Sequence, residues 1–366
     1  MKLEITKEHL ERAAAVAAKI SNKNLSLPVL QCAVFVVSGD RAVLRATNLD
    51  VSVEMILKAK IHAEGIVAVN ASVLSQTVSA FSGQKLTLTL EGSQLIIRGE
   101  TGKTALATVD AAEFPTLPYV KENEGLSAEL SAADVSSAIR TVSFAAAQTS
   151  MKPELASVAL LLEKGELVAA ATDSFRLAEA RRAVKSKAHF GTVLLPARNV
   201  PDIIRALEGV ETVEMRVTDN QVTCVTTEGY ITTRTVDGAF PEYSAIIPKQ
   251  FQVRAVVLKE DVARAFKMVT IFADSYSQVT LSFGVAKKKF EVESSNVSVG
   301  ETHEEIDALL EGTDLTIKFN GRYITDALHG IASDSVQLSV AGPGKPMVIE
   351  DSPKRGFLYL VMPMNR

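Results

Sequence analysis

The stretch LEITKEHLERAAAVAAKI at residues 3–20 has two counterparts further along the same chain, AELSAADVSSAIRTVSF at 128–144 and AVVLKEDVARAFKMVTI at 255–271. Each reads as a short strand running into an amphipathic helix, with helices starting near Lys7, Ala132 and Lys259. Leu10, Ala13, Ala14, Ala17 and Ile20 fall on one helix face, as do Val262, Phe266 and Val269 in the third copy. The rest of the pattern repeats as well. Strands ending in a polar patch follow, at 44–55, 167–181 and 290–306. A second helix then comes after a short strand, introduced by Asn70, Pro196 and Asn320, and paired strands close each copy at 86–99, 213–226 and 336–351. Alternating Leu86, Leu88 and Leu90 mark a strand, and Gly92-Ser93 and Asp219-Asn220 have hairpin-turn composition. One order of events met three times is the mark of a repeated supersecondary unit.

The first two copies end alike, in EFPTLP (Glu113 to Pro118) and AFPEYSAIIP (Ala239 to Pro248). Phe-Pro cannot continue a central strand, because proline has no donor for the ladder. Linkers are therefore expected near 119–126 and 246–253, giving domains at 1–120, 127–246 and 253–366. The linkers carry few Gly or Ser residues, which favours fixed packing of the copies. The fold class is α+β, with three repeated domains that each place two helices behind curved antiparallel sheet.

A chain of 366 residues that is 47% hydrophobic and 22% charged has the composition of a soluble globular protein of two or three domains. No apolar run reaches the roughly 20 residues of a membrane helix, and the N-terminus lacks the features of a signal peptide. Cys32 and Cys224 lie far apart in strand-like surroundings and read as buried free thiols, which fits the cytoplasm. Aromatics make up only 5%, too few for a single-strand stacking platform. The net charge of −4 argues, taken alone, against tight binding of DNA by ordinary contact.

Catalytic chemistry is not apparent. There is no GxxxxGK[ST] phosphate loop and no GxSxG elbow. His9, His62, His189, His303 and His329 have no HxxxH spacing and no cysteine pair, so neither metal nor other cofactor is expected. Thr172-Asp173 with Arg176 has no second carboxylate at matching spacing, and Asp173 reads as a turn former. The run Lys287-Lys288-Lys289 reads as a solvated hairpin turn.

Four local segments carry a family resemblance over the whole chain. Leu27-Pro28-Val29-Leu30 resembles a Leu-Pro-Ile-Leu motif, and Ala171 to Ala178 (ATDSFRLA) resembles A-T-D-G-H-R-L-A. Val236 to Tyr243 (VDGAFPEY) resembles V-D-G-x-F-P-D-Y, and Val361 to Met364 matches a terminal V-M-P-M. In order and at the right separations, these resemble the bacterial DNA polymerase III beta subunit, the sliding clamp. The resemblance implies a non-enzymatic head-to-tail homodimer, a ring of six domains lined by twelve helices. Twelve helices at about 10 Å spacing put their axes on a circle roughly 38 Å across, leaving an opening near 28 Å. A duplex about 20 Å wide passes with a layer of water. A ring holds DNA by topology, so the acidic net charge is no obstacle provided the lining is locally basic.

Helix positions that supply such a lining are Lys7, Arg12, Lys19, Arg140, Arg198, Arg205, Lys259, Arg264, Lys267 and Arg322. The helix from Ala71 to Phe81 contains no Lys or Arg. Lys23, after the first helix, is a candidate for direct DNA contact, and Gln148, Thr149 and Lys152 lie in another family contact loop. The resemblance also implies an apolar groove for short peptides of the replicative polymerase and other replication and repair proteins. Carried over by position, the groove comprises Leu155, Thr172, Ser174, Phe175, Arg176, Leu177, Pro241, Ile246, Tyr323, Pro346, Leu360 and Met362, with Thr172 and Arg176 as polar anchors. Ser174-Phe175 stands where the family often has Gly-His, and Ala245 where a basic residue is common. Leu106, with Ile271 and Phe272, is placed at the dimer interface. Without a nucleotide-binding loop the ring needs a separate ATP-driven loader. A triplicated peptide scaffold with no DNA role is the alternative.

Overall fold

The computed structural model describes residues 1–21, 27–149 and 151–364. Its six helices among these residues are α1 (Lys7–Ser21), α2 (Ala71–Ala80), α3 (Ala132–Ser143), α4 (Val200–Leu207), α5 (Lys259–Ile271) and α6 (Gly321–Ala327). Two fall in each repeat, and α1, α3 and α5 begin at the three positions read from the sequence. In α1 the residues Leu10, Ala13, Ala14, Ala17 and Ile20 are all buried, while Glu8 in the first turn and Lys19 in the last oppose the helix dipole. Asn70 and Asn320 cap α2 and α6, accepting from Val73 N at 3.0 Å and Arg322 N at 2.9 Å. The middle repeat departs from this. Residues Ala197–Asn199 form a 3-10 turn and α4 starts only at Val200. Asn199 is buried and donates to Thr233 Oγ1 at 3.1 Å instead of capping, and the following Pro201 fixes the first turn.

The chain divides into two compact units, the first made of residues 1–136, 185–190 and 198–235, the second of the remainder. The first unit holds one continuous run of thirteen antiparallel strands. Their order is Leu126–Ser131, Thr212–Val217, Gln221–Thr226, Gly229–Arg234, Val51–Ile56, Arg41–Thr47, Cys32–Ser38, Gly65–Asn70, Lys103–Val109, Gln94–Arg98, Lys85–Glu91, Lys2–Thr6 and Ala59–Ala63. The sheet therefore passes from the second repeat into the first through Gly229–Arg234 against Val51–Ile56, with Gly229 opposite Met55 and Thr233 opposite Val51. The linker after the first repeat is docked in the same unit: Val120 is buried, and its N–H donates to Thr223 Oγ1 at 3.1 Å.

The second unit holds a nine-stranded sheet in the order Phe190–Pro196, Ser157–Glu163, Glu166–Thr172, Arg176–Ala183, Phe357–Val361, Met347–Ser352, Ser335–Val340, Val253–Leu258 and Ala308–Gly312. Here the second and third repeats share a ladder, Arg176 facing Val361 and Leu177 facing Leu360. A separate four-stranded sheet runs Gly300–Ile306, Lys289–Asn296, Gln278–Gly284, Leu315–Asn320. Phe290, Val292 and Ser294 on its buried face sit with Phe266 and Val269 of α5 in the core, Ser294 donating to the Val269 carbonyl at 2.6 Å. The lysine run splits: Lys287 and Lys288 lie in the turn, and Lys289 opens the next strand and pairs with Glu305 at 2.6 Å.

Candidate functional site

Among the sequence-derived groove residues, the segment Thr172 to Leu177 is fixed by its own turn. Asp173 Oδ1 accepts from the Phe175 and Arg176 N–H groups, both at 3.0 Å, and Thr172 Oγ1 donates to the Arg176 carbonyl at 2.6 Å. Ser174 takes φ +79°, a left-handed conformation that costs an L-residue about 1 kcal/mol and suits glycine. The turn leaves Phe175 62% exposed while Leu177, one step into the strand, is buried. The C-terminal tail extends the ladder past its last strand, because Met362 N–H donates to the Phe175 carbonyl at 2.9 Å.

Leu177, Val348 and Leu360 make a buried apolar floor, with Tyr243, Ile247, Phe251 and Leu358 packed against it. Phe175, Ile246 and Met362 are the exposed apolar side chains around it, at 62%, 54% and 39%. Pro241 is exposed on the Phe-Pro loop, Pro346 is half-buried just before the strand that pairs with Val361, and Tyr323 stands half-buried on α6. Leu155 is half-buried on a 3-10 turn, its carbonyl accepting from Ala147 N–H at 2.8 Å. The Phe-Pro loop is anchored on its other side. Tyr243 Oη donates to Glu179 at 2.6 Å, and Arg181 Nε donates to the same carboxylate at 2.7 Å. Burial and the Glu179 carboxylate together push the Tyr243 hydroxyl well above its ordinary pKa, so it remains a donor. Behind the loop lies a cavity of about 240 Å³ walled by Ala159, Leu161, Val168, Ala170 and Phe240.

Arg176 is spent internally. Its Nε donates to Asp173 at 2.9 Å, Nη1 to Asp326 at 2.5 Å and Nη2 to the Phe144 carbonyl at 3.0 Å. The guanidinium also lies 4.4 Å from the Tyr323 ring centroid and 5.7 Å from that of Phe144. Burial alone would lower its pKa, but Tyr359, Asp326 and Asp173 outweigh this and raise it, so the group stays charged. With Thr172 Oγ1 bound to a carbonyl as well, these two residues brace the turn internally. Sequence reading passed over Tyr243, Ile247, Phe251, Leu358 and Asp326. Tyr243, the last residue of the VDGAFPEY motif, and Leu358, which alternates with Leu360, carried a signal.

The basic helix positions fall into two sets. Arg12 pairs with Glu228 at 3.2 Å and donates to the Glu208 carbonyl, Arg198 pairs with Asp50 at 2.8 Å, and Arg264 pairs with Asp261 at 2.8 Å. Lys7 donates to the Ser79 carbonyl at 3.1 Å and Lys259 to the Ile331 carbonyl at 2.7 Å. Lys19, Arg140, Lys267 and Arg322 are exposed, Arg205 is half-buried, and none of the five forms an ion pair among the described residues. Gln148, Thr149 and Lys152 are exposed, α2 carries no basic residue, and Lys23 lies outside the described residues. Leu106 is buried on the strand Lys103–Val109, Ile271 is 59% exposed at the end of α5, and Phe272 caps that helix.

Three family signatures match in succession: the DNA polymerase III beta subunit N-terminal domain at residues 1–118, its central domain at 129–242 and its C-terminal domain at 244–365. Among curated relatives, the chain is 28% identical to the beta sliding clamp of Caulobacter vibrioides, with 100% of both proteins covered. It is 27% identical to that of Streptomyces coelicolor over 100% of this chain and 99% of the relative. The crystal structure of the DNA polymerase III beta subunit from Thermotoga maritima superposes with a TM-score of 0.93 at 26% identity, covering 100% of this chain and 99% of that one.

Proposed function

Since the chain belongs to the DNA polymerase III beta subunit family, we propose that it is a sliding clamp, a non-catalytic processivity factor that encircles duplex DNA and tethers the replicative polymerase. The observation that carries this reading is the family match running in order through all three repeats, from residue 1 to 365. Lys19, Arg140, Arg205, Lys267 and Arg322 supply a lining basic enough to attract the duplex and too sparse to grip it, which sliding requires. The repeats at 1–120, 127–246 and 253–366 serve as the three domains of each half-ring.

Closure needs two complementary edges. The strand Lys103–Val109 pairs with Gln94–Arg98 along 103–107 but reaches Gly65–Asn70 only through Thr108 and Val109, so among the described residues one flank of 103–107 has no strand partner. The strand Gly300–Ile306 ends its four-stranded sheet, beside Phe272. Lys103 on the first edge faces an edge carrying Glu301, Glu304 and Glu305, so a homodimer formed by joining these two edges is complementary in charge and closes after two copies. Leu106, Ile271 and Phe272 lie beside this joint. Opening it falls to an ATP-driven loader. The buried thiols Cys32 and Cys224 suit a reducing cytoplasm, burial pushing the Cys224 thiol up to about 12.

The ring is tested by loading the protein with ATP and a clamp loader onto a nicked circular DNA, then cutting the circle and passing both forms through a sizing column in high salt. Retention on the circle and loss from the linear form is expected. Equal retention on both would mean contact binding. Absence from both, with a loader whose ATPase the protein stimulates, would favour a peptide scaffold.

The groove over Leu177 and Leu360 takes short peptides of polymerases and other replication and repair proteins. Deleting residues 362–366 removes the Met362 side chain and its bond to Phe175. At least a tenfold loss of affinity for a polymerase-type peptide is expected in a fluorescence titration, the dimer staying intact by light scattering. Unchanged affinity would move the peptide site elsewhere.

A further inference from the structure

The solvent face of the four-stranded sheet gathers ligand-type side chains that lie apart in sequence. Glu291 and Glu293 alternate on the strand Lys289–Asn296, and the antiparallel register sets His303 directly opposite Glu293. Phe290 and Val292 point to the buried face, so Glu291 and Glu293 share the outer one. His303 Nδ1 stands 2.7 Å from Glu293 Oε1, and its Nε2 stands 3.8 Å from Glu291 Oε1. One ligand atom from each of the three residues falls within 4.8 Å of the others. Three atoms bound at about 2.0–2.2 Å to one ion lie within roughly 4 Å of each other, so a small rotation of these partly exposed side chains brings them onto a common centre.

Two further observations point outward from the cluster. Among the described residues neither carboxylate has a lysine or arginine at ion-pair distance; the nearby Lys289 is taken by Glu305. Beside Glu293 and His303 opens a polar concavity of about 610 Å³ that also reaches Gln278, Thr280, Glu301 and Lys318. It leaves room for water molecules to complete a coordination shell, which a packed surface would not.

We propose that Glu291, Glu293 and His303 form a surface site for a borderline transition-metal dication, with Zn²⁺ as the probe ion. One imidazole and two carboxylates match the nitrogen and oxygen ligands such ions take, and the single imidazole disfavours Mg²⁺, which prefers an all-oxygen shell. The ion binds between two adjacent strands and staples the edge strand Gly300–Ile306 to its neighbour. Edge pairing of that strand with a second copy uses its backbone, and leaves the outer face of the sheet accessible.

The test is calorimetric titration of the untagged dimer with Zn²⁺, with excess Mg²⁺ present, for the parent and for His303→Ala, Glu293→Gln and the control His189→Ala. One Zn²⁺ per chain is expected, with affinity at least tenfold weaker in the first two variants and unchanged in the control. The substituted side chains are all at the surface, so folding is not at stake, and circular dichroism checks it. No saturable uptake by the parent, or equal affinity in His303→Ala, would overturn the proposal.

Discussion

Replacing Arg176 with alanine is expected to lower the stability of the second unit by about 2–3 kcal/mol and to weaken peptide binding about tenfold. The substitution strips Asp173 and Asp326 of their shared cation and leaves the Phe144 carbonyl without its donor. Breaking a fully buried pair costs roughly 3–5 kcal/mol. The Arg176 side chain is only 11% exposed, but that of Asp326 is 41% exposed, so water recovers part of the loss. The affinity falls for a separate reason. Arg176 ties the turn that presents Phe175 to α6, which carries Tyr323, and without it the groove walls lose their common brace. Urea unfolding compared with Arg140→Ala, an exposed arginine with no ion pair among the described residues, isolates the effect. Equal midpoints for the two variants would show that the network does not brace the groove.

The local structure of the candidate groove segments was legible in part. The turn at Asp173 follows from its sequence, because a short carboxylate followed by a residue tolerant of left-handed φ closes on its own backbone. What Arg176 does was not legible. A guanidinium near an apolar strand reads equally as an anchor for a ligand or as a brace, and its partners Asp326 and Phe144 come from distant segments. The same holds for the helix faces, where Arg12, Arg198, Lys7 and Lys259 are drawn to carboxylates or carbonyls that no periodicity reveals. The Glu291–Glu293–His303 cluster is hidden for a related reason: cross-strand neighbours are set by register, and histidine spacing along the chain is blind to it.

At the level of the fold, helix starts and hairpin turns were readable because they are local. The late start of α4 was not, since Asn199 satisfies a strand across the unit instead of its own helix. The joining of repeats into continuous sheets was also out of reach. Val51–Ile56 lies in a stretch that reads as an ordinary strand, Gly229–Arg234 falls beyond the strands read for the second repeat, and nothing in either says that the two edges meet.

That joint makes Gly229→Ala a strongly destabilising change. Gly229 sits opposite both Thr226 in its own hairpin and Met55 in the first repeat, at φ +134°, a region essentially closed to residues with a Cβ. A Cβ there would collide with the Glu54 carbonyl, which is backbone and cannot swing aside. Glu54 is itself held by Arg41 at 2.6 Å and Arg45 at 2.7 Å, so the ladder has no slack on that side. Strain of about 1–3 kcal/mol from the backbone adds to the clash, and a loss above about 3 kcal/mol is expected in urea unfolding. Gly92 is the control. It also has positive φ, +59°, but a Cβ there meets nothing within 4 Å, so its alanine variant should lose only about 1 kcal/mol. The contrast separates backbone strain from the collision at the joint. Because α1, α2 and α4 belong to the same unit as this ladder, opening it also releases the helices that carry Lys19 and Arg205. Retention on circular DNA should therefore fall together with stability. A Gly229→Ala protein no less stable than Gly92→Ala would mean that the ladder between Val51–Ile56 and Gly229–Arg234 does not hold the first two repeats together.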